Sequence, residues 1–173
     1  MKIVNFEFKA RINDAQRVRA ALKTLNARSI GTDHQVDTYF RVPAGRLKVR
    51  EGRIENTLIF YRRSNARRAR QSAVEMMLLP RRNSLRAILE RALPTLAVVD
   101  KRREIYFVKN VKIHLDRVRQ LGKFLEVEAI SRTGDVKIIR SQARHFQRLF
   151  GVTAKDIVAE SYSDLILAKN LKS

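Results

Sequence analysis

The sequence predicts an α+β fold with a mostly antiparallel sheet. Three observations carry this: segments whose polarity alternates with a period of two, interspersed segments with apolar residues at helical spacing, and the order in which they follow one another. The first segment, Lys2 to Ile12, puts Val4, Phe6, Phe8, Ala10 and Ile12 on one side of a strand and Asn5, Glu7, Lys9 and Arg11 on the other. One side wants a core; the other wants ions.

Asn13 or Asp14 then caps a helix through about Ala27, with Ala15, Val18, Ala21, Leu22 and Leu25 at helical spacing. Strands are predicted at about 34 to 42, 46 to 53 and 55 to 63, the last two joined by a turn at Glu51-Gly52-Arg53. Residues 64 to 71 are polar, basic and without period, and read as a mobile loop. A strand from Ser72 to Leu79 stops at Pro80. A helix from Ser84 to Leu93 gathers Leu85, Ile88, Leu89 and Leu93 on one side before Pro94 ends it. Strands at about 97 to 109, 111 to 117 and 123 to 131 form a meander. An amphipathic helix over 137 to 150 turns Ile138, Ile139, Ala143, Phe146, Leu149 and Phe150 inward, and a last helical segment lies around Ser163 to Lys169.

The charged faces repeat from strand to strand. Arg46, Lys48 and Arg50 alternate with Leu47 and Val49; Lys101 and Arg103 share a face; Lys112, His114 and Asp116 alternate with Val111, Ile113 and Leu115; Glu126 and Glu128 oppose Leu125, Val127 and Ala129. Cations and carboxylates both occur on these faces, as expected of a sheet built around an anion and a metal.

With 173 residues, 45% of them hydrophobic, the expectation is one domain spanning residues 1–173. Cysteine is absent, which excludes disulfide frameworks and thiolate metal sites and fits a reducing cytoplasm. No apolar run approaches the roughly 20 residues needed to span a bilayer, so no membrane is expected. Lys and Arg number 37 against 17 Asp and Glu, a formal charge of +20 that attracts polyanions. Glycine-rich phosphate loops of the P-loop or Rossmann type are absent. His34 and His145 read as surface residues.

At the level of motifs, NFEFK resembles the amino-terminal ExExK signature of the CYTH or triphosphate tunnel metalloenzyme superfamily. QVDTYF, GRLKVRE, LIFYRR, DKRREIY, VKIHLDRVRQLGKFLEVE and ESYSDLIL are similar to the successive blocks of its class IV adenylate cyclase-like branch, from Lys2 to about Leu167. The resemblance implies a closed or nearly closed eight-stranded antiparallel β-barrel with helices packed outside. It implies Glu7, Glu126 and Glu128 as catalytic metal ligands for Mg²⁺ or Mn²⁺, and Lys9, Lys48, Arg50, Lys101 and Arg103 as phosphate clamps. Arg63 or Arg62 joins them, the alternation there being ambiguous, and Glu75 and Asp116 match acidic tunnel positions.

The chemistry requires such a set. A triphosphate carries about four negative charges, so cations from several strands must converge on it. Mg²⁺ usually takes only one or two carboxylates and keeps places for phosphate oxygens and water. His114 shares the tunnel face, as a proton-transfer group or a structural histidine. A competing reading is a set of internal salt bridges, against which stands the desolvation cost of burying so many charges. One residue departs from the signature: Asn5 stands where the family has Glu, keeping a carbonyl oxygen but removing a charge.

The expected function is therefore metal-dependent conversion of ATP to cyclic AMP and pyrophosphate. The alternatives are triphosphatase action on inorganic triphosphate or a nucleotide, and a catalytically weak binding protein. ATP or another triphosphate is the expected ligand. RNA or polyphosphate on the basic surface, for instance at Arg67, Arg68 and Arg70, and a homodimer are further expected partners.

Overall fold

In a computed structural model the described residues are 2–63, 70–131 and 135–171, without the side chains of residues 2, 3, 63, 70 and 71. Eight antiparallel strands close into a barrel in the order β1-β5-β4-β3-β2-β6-β7-β8. They are β1 (Lys2–Arg11), β2 (Arg28–Phe40), β3 (Arg46–Glu51), β4 (Thr57–Arg63), β5 (Arg70–Leu78), β6 (Thr95–Val108), β7 (Val111–Val118) and β8 (Gly122–Ser131). Pairing of β1 with both β5 and β8 completes the ring and leaves no open edge. The helices are α1 (Ala15–Thr24), α2 (Leu85–Ala92), α3 (Val136–Leu149) and α4 (Tyr162–Asn170). None is long and apolar enough to cross a membrane.

The main core lies outside the barrel. Phe6, Phe8 and Ala10 of β1, Ile113 and Leu115 of β7, and Leu125, Val127 and Ala129 of β8 are buried together with Val18 and Leu22 of α1 and Ile139, Ala143 and Phe146 of α3. Because successive side chains alternate, each of these outward apolar residues fixes a polar neighbour inward. That is how packing aims Glu7, His114, Glu126 and Glu128. A smaller cluster of Val99, Val118, Phe124, Tyr162 and Ile166 seats α4.

Local chemistry sets the helix starts. Asp14 caps α1, accepting hydrogen bonds from the backbone N–H groups of Gln16 at 2.8 Å and Arg17 at 3.4 Å. Ser161 and Asp164 form a reciprocal capping box at α4. The predicted helix 84 to 93 is present as α2, but no residue of it is buried. Strand β2 starts six residues earlier than its polarity indicates. Residues 28–33 lack alternation, yet they pair with β6 as far as Phe107, with an irregularity between Ser29 and Gly31 where Gly31 has φ +125°. Ladder hydrogen bonds, not side-chain polarity, define this extension. The predicted loop over 64 to 71, with Arg67 and Arg68, lies largely outside the described residues.

Candidate active site in the barrel lumen

The inward faces of five strands carry ions into one cavity. From β1 come Asn5, Glu7 and Lys9, from β3 Lys48 and Arg50, from β6 Lys101 and Arg103, from β7 Lys112 and His114, and from β8 Glu126 and Glu128, all lining one cavity of about 370 Å³. Lys9, Lys48, Arg50, Lys101, Arg103 and His114 are all buried. The structure thus brings together Glu7, Glu126, Glu128 and five of the six predicted clamps. The sixth, Arg63, ends β4, and its side chain lies outside the described residues.

Two predicted positions face the other way. Ser72, Val74 and Met76 line the lumen, so the alternation of β5 turns Glu75 to the exposed outer surface. In β4, Thr57, Ile59 and Tyr61 point in; Arg62 points out, exposed, with its guanidinium 5.7 Å from the centre of the Phe60 ring. Both residues are placed outside the tunnel, a correction to the expectation from sequence.

The cations do not stand alone. Asp37 of β2, fully buried, accepts hydrogen bonds from Lys48 Nζ at 2.8 Å, Lys101 Nζ at 2.7 Å, and Arg50 Nε and Nη2 at 2.7 and 2.9 Å. Burial opposes ionisation of Asp37, but Arg50, Lys101 and Lys48 outweigh it and hold its carboxyl well below the usual range. Glu55 receives Arg50 Nη1 and Gln35 Nε2, each at 2.9 Å, and an ion pair from Lys112. Arg103 donates to Asp116 through Nε at 2.6 Å and to Glu126 through Nη2, while the Tyr162 hydroxyl donates to Asp116 at 2.8 Å. Asp116 therefore lies in the barrel interior as expected, and it braces Arg103. Desolvation pushes Lys101 down to about 7, with Arg50, Arg103 and Lys48 adding to the shift and Asp37 opposing it.

Asp37, Glu55 and Lys112 escaped the selection of site residues from sequence. Lys112 and Asp37 had a signal, lying two residues from His114 and from Gln35 on strands with alternating faces. Glu55 had none. It sits in the turn between β3 and β4, and that turn depends on Gly52, where a Cβ would stand 2.5 Å from Asp33 Oδ2 and 2.8 Å from the Glu55 carbonyl oxygen. Asp33 accepts from the backbone N–H groups of Arg53 and Glu55 at 2.8 and 3.0 Å, folding the turn back on the barrel.

On the opposite wall His114, Glu126 and Glu128 offer ligand atoms that all lie within 4.8 Å of one another. Neither ring nitrogen of His114 has a hydrogen-bond partner, and Nδ1 stands 3.8 Å from an oxygen of each carboxylate. An orphaned buried imidazole beside two carboxylates fits a divalent cation that accepts oxygen and nitrogen donors. Burial, together with Arg103, drives His114 down to about 3, which keeps the ring neutral and its lone pair available. Burial also opposes ionisation of Glu126, but Arg103, His114 and Lys9 outweigh it and hold Glu126 well below the usual range. Glu128 goes the other way. Burial, with Glu7 and Glu126 nearby, pushes it up to about 7.

A cation held by this group would bind with a proton-linked affinity. Glu128 must lose its proton to bind a cation, so the apparent affinity for Mn²⁺ should rise roughly tenfold per pH unit as pH approaches 7 and level off above it. Calorimetric titration from pH 5.5 to 8.5 checks this, and a flat profile would remove Glu128 from the metal site.

Asn5 is buried, with Nδ2 3.4 Å from Glu7 Oε2 and Oδ1 lacking a partner. It occupies the lumen beside the acidic group, where the departure from the ExExK signature bears on cation binding.

The comparisons with known proteins agree with this architecture. The PH1012 protein of Pyrococcus horikoshii OT3 superposes with TM-score 0.81 at 23% identity, covering 93% of this chain and 98% of that one. A candidate adenylate cyclase from Vibrio parahaemolyticus gives TM-score 0.74 at 18% identity over 94% and 97% of the two chains. HpAC1 of Hippeastrum, a candidate adenylyl cyclase described as having a dominant triphosphatase activity, gives 0.62 at 11% over 97% and 95%. No curated protein sequence matches the chain. The CYTH domain profile matches residues 4–162, and with the closed barrel and its charged lumen it makes the chain a member of the CYTH domain family.

Proposed function

We propose that the chain is a metal-dependent enzyme that cleaves a triphosphate held in the barrel, in the manner of a class IV adenylate cyclase. One observation carries the reading: five buried cations on three strands converge on the lumen that also holds the His114, Glu126 and Glu128 group. Lys9, Lys48, Arg50, Lys101 and Arg103 bind and orient the phosphates, with Arg63 as a further clamp. Glu126 and Glu128 would hold Mg²⁺ or Mn²⁺, with Glu7 on the neighbouring strand and His114 beside them. When bound, that cation supplies charge neutralisation on the phosphate oxygens and on the pyrophosphate that leaves. The ribose 3′-hydroxyl releases its proton to solvent as its oxygen attacks the α-phosphorus of ATP, the bond from that phosphorus to the β-bridging oxygen breaks, and cyclic AMP and pyrophosphate form.

Hydrolysis is the second reading, supported by the triphosphatase activity named for the Hippeastrum relative, which shares the fold. One domain spanning residues 1–173 and a cytoplasmic location belong to the same proposal, the latter on the absence of cysteine. Incubating ATP and inorganic triphosphate with Mg²⁺ or Mn²⁺ and resolving all products tests it. Cyclic AMP with pyrophosphate is expected, ADP with phosphate would replace cyclase by triphosphatase, and tight binding without turnover would leave a binding protein.

Asn5→Glu restores the signature carboxylate next to Glu7. We expect Mn²⁺ binding in the presence of triphosphate to tighten by about tenfold, since cation affinity rises with ligand charge. Weaker binding together with lower turnover would show that Asn5 belongs to a differently built site.

A further inference from the structure

The lumen is not charged all round. Two neighbouring strands break the pattern: Ile59 of β4 and Val74, Met76 and Leu78 of β5 point inward, and Ile54 joins them from the β3–β4 turn. At the rim Leu78 is 78% exposed and Ile54 is 42% exposed. Apolar surface left in contact with water is costly, and a phosphate chain with its cation has no use for such a wall. Within it the Thr57 hydroxyl is buried and lacks a partner, and Thr57 pairs across the ladder with Arg50 on one side and Leu78 on the other. The apolar strip therefore begins where the phosphate clamp ends.

We propose that the β4–β5 wall is a subsite for a flat, largely apolar organic group attached to the triphosphate, making Ile54, Met76 and Leu78 specificity-determining residues. The inference rests on the triphosphate reading of the same lumen and goes beyond it. A nucleobase is the chemistry that fits, one face on Met76 and Leu78, with Thr57 as its polar contact. A hydroxyl rotates to donate or accept, and among the described residues Ile54, Ile59, Val74, Met76 and Leu78 offer no amide or carboxylate side chain to read a base edge. The subsite thus selects organic over inorganic triphosphate while treating purine bases alike.

The experiment compares calorimetric affinities for ATP, GTP and inorganic triphosphate in the wild-type protein and in Leu78→Ser and Ile54→Ser, both at exposed rim positions, with melting curves to show that each variant is folded. ATP and GTP should agree within about threefold and exceed inorganic triphosphate, and each variant should lose about tenfold with ATP while inorganic triphosphate changes less than about twofold. A wild-type preference for inorganic triphosphate, or equal losses on all three substrates, would overturn the subsite. If no triphosphate is turned over, the enzyme reading fails separately, and these affinities still decide the subsite.

Discussion

Glu126→Gln is expected to lower metal-dependent triphosphate turnover by about a hundredfold or more while leaving the fold intact. Glu126 is the junction of the two halves of the site: Arg103 donates to its Oε2, Lys9 Nζ stands 4.0 Å from its Oε1, and it shares the acidic group with His114 and Glu128. Glutamine keeps the volume and an acceptor for Arg103 but removes the charge proposed to hold the cation. The core is untouched, because Leu125 and Val127 face the opposite side of β8. Steady-state rates against Mn²⁺ concentration, beside a melting curve, give the readout, and wild-type turnover would sink the metal assignment.

Glu128→Gln supplies the control. The Glu128 carboxyl is raised to about 7, above its ordinary value of 4.5, so its ionised form is disfavoured in the folded state. The resulting penalty is absent below the ordinary value, grows as pH rises through the interval and is complete above about 7. Without metal, Glu128→Gln should therefore raise the melting temperature at pH 8 and leave it little changed at pH 4, even as turnover falls.

The second large effect concerns stability. Asp37→Asn removes the one carboxylate that Lys48, Arg50 and Lys101 share, leaving buried cations uncompensated. Removing one partner of a buried pair typically costs about 3–5 kcal/mol. For a chain of this length that corresponds to a melting temperature lower by roughly 10 °C. Inorganic triphosphate should restore much of the loss, since a bound anion supplies the missing counter-charge, and its stabilising effect should be larger in the variant than in the wild type. A variant that melts like the wild type, or gains no more from triphosphate, would show that Asp37 is not the anion that holds the clamps in place.

This dual use of the lumen bears on the competing sequence reading, that its charges are internal salt bridges. The salt bridges are present, and they are formed by the same side chains that are proposed to clamp the phosphates. Among the described residues the inward cations are matched by the carboxylates of Asp37, Glu55, Asp116 and Glu126. The lumen is pre-organised by ion pairs, and the formal +20 is not concentrated there.

The strand faces were legible in the sequence because a period of two is a local property. Where one side of β1, β7 or β8 had to be apolar to meet α1 and α3, the other side had to point into the barrel, and Glu7, Lys9, His114, Glu126 and Glu128 could be read directly. Glu75 was misread, and Arg62 could not be told from Arg63, because β4 and β5 put apolar residues on the lumen face, so polarity no longer marks which side is inward. Glu55 lies in a turn with no period at all, and only the close approach permitted at Gly52 carries it into the site. The sequence by itself determined the order of elements, the one-sided charge of five strands and the family. Tertiary structure alone decided which carboxylate neutralises which cation and where the charged lumen gives way to an apolar wall, because those depend on distances between strands far apart in the chain that only closure of the barrel sets.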